Sequence, residues 1–368
     1  MRNQGLVVAI DGPSGAGKST AGRALAERLG YTYIDTGAMY RALALKAMRS
    51  GVSLDSEEAL ATLCRASSIE LTDGGRRVVL DGEDVTGAIR SPETSRASSL
   101  VSVHPGVRIE MVERQRDMGR EGKVVLDGRD IGTAVFPDAD VKFFLDAAPG
   151  ERAQRRHDEL RAAGSDVSLE TIEEDVRERD YTDSHRAESP LVRAWDALTL
   201  DTTRLDPAEV LERMLAAVRA REGHPVDLGR LAEEHRRVAG RYVEVLRATA
   251  LSVGLYRVGA GSDDDQRPHG EEEVYLVLEG SGRFRMGDED YEVTPGHLLT
   301  VPARVEHSFH SITEDLLLLA FFAPAEGTTE MEEKGKEWER GGPEPGGEDG
   351  GMDRPDAQPG PPSDPAGS

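Results

Sequence analysis

The segment Gly12–Ser19 constrains the fold most: it reads GPSGAGKS and fits the pattern G-x-x-x-x-G-K-[ST]. A short apolar run, Leu6–Ile10, precedes it, and residues 21–29, rich in helix formers, follow it up to Gly30. A strand, a glycine-rich loop and a helix N-terminus in this order direct backbone N–H groups at a phosphate chain. We therefore predict a site for a nucleoside triphosphate, the alternative being an incidental glycine-rich turn.

Two side chains of this loop carry the expected chemistry. Lys18 can reach the terminal phosphates, and Ser19 offers a hydroxyl ligand to the Mg²⁺ that accompanies the nucleotide. The residues expected to contact ATP are Gly12, Pro13, Ser14, Gly15, Ala16, Gly17, Lys18, Ser19 and Thr20. The loop alone does not identify the group that accepts the phosphoryl group.

The charge and the cysteine content narrow the class of protein. A net charge of −24 is unfavourable for binding nucleic acid, so we expect no nucleic-acid partner. The single cysteine, Cys64, excludes a disulfide framework, and no apolar run reaches the roughly 18 residues of a membrane span. No signal-peptide apolar stretch precedes the first strand. We expect a soluble cytoplasmic protein with no membrane partner.

Composition and pattern divide the 368 residues into three parts. Residues 1–222 alternate strand and helix patterns, and residues 223–325 are rich in strands after one amphipathic helix. Residues 326–368 contain 12 acidic, 4 basic, 10 glycine and 7 proline residues. Such a segment can bury little apolar surface, so we expect this acidic tail to be disordered.

Residues 1–222 are expected to form a doubly wound α/β fold with a parallel sheet. Five short apolar runs read as strands, and four of them are followed by helical stretches. The expected strands are Leu6–Ile10, Tyr31–Asp35, Val124–Asp127, Val141–Leu145 and Ala197–Asp201. Ligands of such folds bind at the carboxyl ends of the strands.

Charged and hydroxyl residues follow the predicted strands at this edge of the sheet. They lie in the segments Asp35–Arg41, Asp127–Asp130 and Arg179–Arg186. Arginine suits phosphate because its planar guanidinium donates two parallel hydrogen bonds. The pattern favours an acceptor site opposite the phosphate loop over a set of solvated surface charges.

In their order and spacing these motifs resemble those of bacterial cytidylate kinase. The resemblance covers about residues 5–220 and is carried by Asp11–Ser19, Asp35–Arg41, Asp127–Asp130 and Glu178–Asp180. It implies a P-loop nucleoside monophosphate kinase that transfers a phosphoryl group from ATP to CMP or dCMP with Mg²⁺. It also implies a small β insert in the monophosphate-binding part, which Ile69–Leu71 and Val78–Leu80 match.

The resemblance further implies roles for individual residues. Those implied to bind CMP are Arg41, Arg129 and Arg186 for the phosphate, Ser99, Arg108 and Asp130 for the cytosine edge, Arg179 and Asp183 for the ribose, and Thr36, Tyr40 and Asp127 elsewhere in the site. An arginine-rich helical pair between about Glu151 and Asp180 resembles the mobile lid of the family, although each single arginine there also fits an exposed helix hairpin. The catalytic charges are expected from Lys18, Arg129, Arg186, Arg155 and Arg156.

Residues 223–325 predict a helix, Val226 to about Ala239, and a small antiparallel barrel. The expected strands are Leu251–Val258, Val274–Leu278, Gly282–Met286, Leu298–Val301 and Leu316–Phe321, with turns at 279–282 and 294–296. Residues 268–275 and 296–307 resemble the two cupin motifs, and this resemblance covers about residues 245–323.

Cupins often hold a divalent metal with three histidines and one glutamate. His269, Glu273 and His307 match three of these positions, and Arg267 stands at the fourth. Glu271 is a candidate replacement, since a mixed histidine and carboxylate set suits several first-row metals. The alternative left open is a barrel without metal, in which the histidines are hydrogen-bonded.

Two functional hypotheses follow. The first is a cytidylate kinase with an appended cupin of unknown role, with a kinase for another nucleoside monophosphate as its nearest variant. The second is a cupin-based sensor of a small ligand with a regulatory P-loop domain. The set Arg41, Arg129, Arg179 and Arg186 favours the enzyme, because a switch needs no acceptor site. We expect a monomeric kinase domain and leave open pairing of two chains through the cupin.

Overall fold

A computed structural model describes residues 5–325 and 327, except for 163, 165, 187, 237–240, 249, 263, 265 and 267. Two predictions therefore fall outside the described residues: the disorder of the acidic tail, of which only Gly327 is described, and the place of Arg267.

The regular elements alternate in the first two thirds of the chain and are mainly strands thereafter. The described strands are β1 (Val7–Asp11), β2 (Thr32–Asp35), β3 (Ile69–Thr72), β4 (Arg77–Leu80), β5 (Glu83–Asp84), β6 (Val124–Asp127), β7 (Val141–Asp146), β8 (Leu198–Asp201), β9 (Tyr242–Ala248), β10 (Leu251–Val258), β11 (Glu272–Met286), β12 (Glu289–Val293), β13 (Leu298–Val301) and β14 (His307–Ala323). The described α-helices are α1 (Lys18–Leu29), α2 (Thr36–Arg49), α3 (Glu57–Arg65), α4 (Pro92–Val101), α5 (Pro105–Gly119), α6 (Pro149–Ala162), α7 (Leu169–His185), α8 (Pro207–Arg221) and α9 (Leu228–Arg236). Ala88–Arg90 forms a 3₁₀ turn, and Ile131–Val135 forms a π-helical turn.

The central sheet is parallel, with the strand order β2-β6-β1-β7-β8, which confirms the predicted doubly wound α/β fold. The five predicted strands agree with it to within one residue at either end. Val8 and Ile10 of β1 pack in one apolar cluster with α1 and α8, whereas Val7 and Ala9 pack in another with Phe136. Because side chains alternate between the two covered faces, β1 is apolar at successive positions.

Short connections after the strands place polar side chains at the carboxyl edge of the sheet. Asp35 ends β2 and caps α2, accepting a hydrogen bond from Ala38 N at 2.8 Å. Asp127 ends β6, and the π-helical turn follows a few residues later. The acceptor-site residues of both segments are thereby brought next to the phosphate loop, which follows the central strand β1.

The insert and the helical pair are also present. β3, β4 and β5 form a separate antiparallel sheet, as predicted for the β insert. α6 and α7 pack through an apolar cluster of Ala153, Ile172 and Val176. The pair has little other apolar packing among the described residues, which suits an element that moves as a unit.

The strand-rich part forms an antiparallel sheet in the order β12-β11-β14-β10-β9, with β13 paired to β11. The predicted turn at 279–282 is wrong: β11 continues through it, with register shifts against β14 where the strand is bulged. Gly280 has φ 82°, which lets the strand bend there without a break. The predicted strand Leu316–Phe321 is the second half of β14, and β9 was not predicted.

The two parts of the chain contact each other through α8, α9 and β9. Leu231 and Ala232 of α9 pack with Val245 and with Ala216 of α8 in one apolar cluster. Arg247 of β9 donates to the carbonyl oxygen of Trp195 at 3.3 Å. Among the residues described, no helix has the length and apolar character needed to cross a bilayer.

Candidate active site and metal centre

The phosphate loop holds Lys18 in a buried position at the end of β1. Its Nζ donates to the carbonyl oxygens of Gly12 and Pro13, at 2.7 and 2.6 Å. Burial, together with the positive charge of Arg129, lowers the pKa of Lys18 to about 7, although Asp127 opposes this shift. Gly12 has φ 143°, and a Cβ there would overlap a carbonyl oxygen of β7. The lysine thus lies folded back on its own loop, where phosphate oxygens can replace the two carbonyl acceptors.

Asp127 joins the phosphate loop to the end of β6. Ser19 Oγ donates to Asp127 Oδ2 at 2.7 Å, and Tyr33 OH donates to Oδ1 at 3.0 Å. Thr36 Oγ1 donates to the backbone carbonyl of Asp127 at 2.7 Å. Burial, together with the charge of Asp35, raises the pKa of Asp127 to about 6. The resemblance assigns Asp127 to the CMP site, but its side chain lies against the serine expected to bind Mg²⁺.

Two arginines predicted for the acceptor site meet at Asp130. Arg108 Nη2 donates to Asp130 Oδ2, and Arg186 Nη2 lies 3.3 Å from Asp130 Oδ1. None of the three side chains is more than 10% exposed. Burial raises the pKa of Tyr40 to about 12, and the charges of Arg108, Asp130 and Arg186 also act on it. Tyr40 therefore lies beside the same cluster.

A second acceptor-site group forms around Asp183. Arg129 Nε donates to Asp183 Oδ2 at 2.6 Å. Burial opposes ionisation of Asp183, but the charges of Arg129 and Arg179 outweigh it and hold its pKa below the usual value. Burial, together with Arg129, lowers the pKa of Arg179 to about 10, so this side chain stays charged at neutral pH. Because Arg129 also acts on Lys18, this group lies near the phosphate loop.

Three guanidinium N–H groups in these clusters are buried without a well-aligned acceptor among the described residues: Arg108 Nη1, Arg179 Nε and Arg186 Nη2. A buried charged donor without an acceptor is costly. Anionic or carbonyl oxygens of a bound molecule would remove that cost. The clusters therefore have the chemistry of a site for a polar, anionic ligand.

Two other predicted residues lie outside the two clusters. Arg41 pairs with Asp35 at 3.0 Å, and its charge acts on Arg179, which places it at the rim of the acceptor site. Ser99 is half-buried on α4, where its carbonyl oxygen accepts a hydrogen bond from Ser102 Oγ at 2.9 Å. Within the described residues the Ser99 side chain has no hydrogen bond to the Asp130 cluster.

Arg152 joins the phosphate loop to both lid helices. It lies on α6 with its side chain buried, and Nη1 donates to the carbonyl oxygen of Ser14 at 3.2 Å. Nη1 and Nη2 also donate to the two carboxylate oxygens of Asp180 on α7, at 3.0 and 2.7 Å. A change in the position of the lid is therefore coupled to the loop.

The other two lid arginines are paired outside the phosphate loop. Arg155 donates to the carbonyl oxygen of Thr202 at 2.6 Å and to Thr202 Oγ1 at 3.1 Å, and Arg156 pairs with Glu159 at 3.1 Å. Thr202 Oγ1 in turn lies 3.1 Å from the carbonyl oxygen of Ala16. Thr202 was not predicted, since its role depends on the approach of β8 to a loop 186 residues away in sequence.

Asp11 is a further buried residue of the site, and no role was predicted for it. Its two carboxylate oxygens accept hydrogen bonds from the backbone N–H groups of Ile131 and Gly132, at 2.8 and 2.7 Å. These bonds hold the loop that carries Arg129 and Asp130. Burial raises the pKa of Asp11 to about 6. The only signal in the sequence was an acidic residue between an apolar strand and the glycine loop.

In the strand-rich part, His269, Glu273 and His307 come together. One ligand atom from each lies within 4.8 Å of the others. Nδ1 of His307 lies 2.9 Å from the carbonyl oxygen of Val305, and Nδ1 of His269 lies 2.9 Å from Glu271 Oε2. Both partners are acceptors, so the Nδ1 atoms carry the hydrogens and each ring has Nε2 left as a ligand atom.

The donor set fits a divalent metal. Both oxygens of Glu273 are buried, and neither has a well-aligned hydrogen-bond donor among the described residues. Two imidazoles and a carboxylate suit several first-row metals. Glu271, predicted as a replacement ligand, contacts the outer nitrogen of His269 instead.

A glycine loop between a buried parallel strand and a helix, facing an arginine-lined acceptor cluster at the same sheet edge, defines a P-loop phosphotransferase. A cytidylate kinase family model matches residues 8–220, more than half of the chain, and a cupin domain model matches residues 254–322. The chain belongs to the cytidylate kinase family and carries a cupin domain in addition.

Curated relatives support this assignment. A cytidylate kinase of Geobacter sulfurreducens is 53% identical over 221 residues, which cover 60% of this chain and 95% of that protein. A cytidylate kinase of Desulfitobacterium hafniense (strain Y51) is 52% identical over 212 residues, covering 57% and 91%. A solved structure from Thermus thermophilus is 28% identical and covers 27% of this chain and 95% of its own, but its TM-score of 0.24 carries no argument.

Proposed function

We propose that the chain catalyses transfer of the γ-phosphoryl group of ATP to CMP or dCMP, giving ADP and CDP or dCDP. The observation that carries this proposal is the adjacency of two polar clusters at one sheet edge. Lys18 and Ser19 lie on the phosphate loop, and Arg129, whose charge reaches Lys18, lies in the acceptor cluster. Two phosphate-binding sites that share one boundary suit transfer between two nucleotides.

On the donor side, Lys18 would exchange its two carbonyl acceptors for phosphate oxygens of ATP. Ser19 Oγ and Asp127 offer hard oxygen atoms on one side of that position, and these suit Mg²⁺. When bound with ATP, Mg²⁺ would neutralise charge on the phosphates. The remaining residues of the segment 12–20 would contribute backbone N–H groups.

On the acceptor side, we assign the roles implied by family membership. Arg41, Arg129 and Arg186 would bind the CMP phosphate, and Arg179 and Asp183 the ribose. The cytosine edge would meet Arg108, Asp130 and Ser99, with Tyr40 and Thr36 lining the site. The unpaired guanidinium N–H groups support this assignment, because a nucleotide offers the acceptors that they lack.

The chemical step would then depend on placement and charge. In-line transfer requires the acceptor phosphate to approach an anionic triphosphate, and the arginines offset the repulsion between the two. Lid closure would exclude water, which otherwise accepts the phosphoryl group. Arg155 and Arg156 would have to leave Thr202 and Glu159 to join the catalytic charges.

The test is a coupled ADP-release assay with CMP, dCMP, UMP and AMP as acceptors. We expect turnover with CMP and dCMP, and none with Lys18→Ala, because the loop loses its phosphate-binding cation. Lys46→Ala, which removes a lysine of α2 paired with Asp81, serves as the matched control and should retain activity. Preference for UMP or AMP would identify another monophosphate kinase, and no turnover with any acceptor would favour the sensor hypothesis.

The rest of the organisation is proposed on the same basis. We assign the kinase domain to residues 1–222, the cupin to 223–325 and the acidic tail to 326–368. We propose a cytoplasmic enzyme with a monomeric kinase domain, and a divalent metal held in the cupin by His269, Glu273 and His307. Such a metal would supply a Lewis acid centre for a small anionic ligand.

A further inference from the structure

We propose that Gln266 is a fourth protein ligand of the cupin metal, binding through its side-chain oxygen Oε1. The inference rests on the proposed metal site and goes beyond it, because neither cupin motif includes this position. It also explains how the site is completed in a chain with arginine at residue 267.

The first argument is the convergence of four ligand atoms. Gln266 Oε1 lies 2.8 Å from His307 Nε2, which in turn lies 3.4 Å from Glu273 Oε1. His269 Nε2 contacts the same glutamate oxygen. Ligands bound at about 2.0–2.2 Å and at right angles lie about 3 Å apart. The Gln266–His307 and Glu273–His307 separations are close to that value, as expected for neighbouring positions around one ion.

The second argument is the state of the atoms involved. The hydrogen of neutral His307 lies on Nδ1, which faces the Val305 carbonyl oxygen, so its Nε2 presents a lone pair to the site. Gln266 Oε1 also presents a lone pair there. Two such atoms 2.8 Å apart repel each other unless a proton or a cation lies between them. A metal ion can satisfy both, together with the buried oxygens of Glu273.

The third argument is that Gln266 is held in position by its neighbours. Tyr275 OH donates to Gln266 Oε1 at 2.9 Å, which uses one of the two lone pairs of the oxygen and leaves the other. Two residues earlier, the carboxylate of Asp264 accepts hydrogen bonds from Tyr256 OH at 2.5 Å and from Phe309 N at 2.8 Å. The segment is thereby anchored to β10 and β14, and the glutamine is directed at the histidines.

Two imidazoles, one carboxylate and one amide oxygen form a mixed set that suits first-row divalent ions such as Mn²⁺, Fe²⁺, Co²⁺ or Zn²⁺. Co²⁺ is the most informative probe, because its visible absorption bands report the number and type of ligands. The experiment therefore uses the full chain, stripped of metal with a chelator, and titrates it with Co²⁺ by calorimetry and by absorption.

We expect one Co²⁺ per chain, and Gln266→Ala to weaken binding about tenfold or more and to change the absorption bands. Gln266→Glu keeps an oxygen ligand and adds a charge, so it should bind at least as tightly as the unchanged chain. His310→Gln, which alters a histidine paired with Asp290 outside the site, is the matched control and should change neither readout. The unfolding midpoints of the metal-free variants verify that each is folded.

Two outcomes would overturn the proposal. If Gln266→Ala binds Co²⁺ with unchanged affinity and unchanged bands, Gln266 is not a ligand, although the other three residues still are. If Glu273→Gln also leaves binding unchanged, or if the full chain binds no Co²⁺, the metal site itself is wrong. The ADP-release assay on the same samples keeps these results separate from the kinase proposal.

Discussion

Ser19 Oγ and Asp127 Oδ2 are joined by a 2.7 Å hydrogen bond between the first turn of α1 and the end of β6. These residues are 108 positions apart in the sequence and lie on adjacent strand–loop units of the parallel sheet. The bond brings the only hydroxyl of the phosphate loop expected to bind Mg²⁺ against a buried carboxylate. Nucleotide and metal binding are therefore linked to the strand that also leads to the acceptor arginines.

We expect Asp127→Asn to raise the Mg²⁺ concentration needed for half-maximal activity about 10- to 100-fold, because the variant removes the charge that orients the serine and attracts the ion. The measurement is ADP release at fixed ATP and CMP over a Mg²⁺ series. Asp146→Asn, at the end of the neighbouring strand β7, is the control and should leave the Mg²⁺ dependence unchanged. An unchanged Mg²⁺ dependence in Asp127→Asn would remove this residue from the metal side of the site.

We expect Arg129→Ala to raise KM for CMP and to lower kcat, with kcat/KM reduced about 100-fold, because an interaction that strengthens during transfer is lost. Asp183 would lose its 2.6 Å partner, which is a second reason for a poorer acceptor site. Initial rates over a CMP series give both constants. Arg120→Ala removes an exposed arginine paired with Asp117 and should behave as the unchanged chain. Normal CMP kinetics in Arg129→Ala would refute the role.

The kinase part could be predicted from the sequence because its signals are local. The loop Gly12–Ser19 and the five apolar runs each specify their own conformation, and the sheet edge follows from the strand–helix alternation. The capping box of α8 was equally local: Asp206 accepts from Ala208 N and Glu209 N, and Glu209 accepts from Asp206 N.

The features that were missed depend on contacts between distant segments. Gly280 with its neighbours reads as a turn, yet the pairing of β11 with β14 carries the strand through it as a bulge. Asp11 reads as part of a motif, yet its carboxylate holds a loop 120 residues away. Gln266 has no pattern of its own, and its place beside His307 follows from anchoring of the whole segment by Asp264.

We expect Thr202→Val to raise KM for ATP about fivefold with little change in KM for CMP. The variant removes the hydroxyl that lies between the Ala16 carbonyl oxygen and Arg155, a loss of about 1 kcal/mol. Thr202→Ser, which keeps the hydroxyl, should restore the ATP constant. Thr199→Val, earlier on β8, is the control for a change within the strand. A rise in KM for CMP instead would place Thr202 on the acceptor side.

We expect His235→Gln to reduce the acid sensitivity of the fold. His235 is buried on α9 with Nε2 3.1 Å from the Arg241 carbonyl oxygen, and burial, with the charges of Arg257 and Arg213, lowers its pKa to about 4. Between about pH 6.5 and 4 the unfolded chain binds a proton that the folded chain does not, so stability is complete above pH 6.5 and falls by about 3 kcal/mol towards pH 4. Urea unfolding at several pH values measures this loss. The exposed His224→Gln serves as control, and parallel stability curves for His235→Gln and the unchanged chain would contradict the prediction.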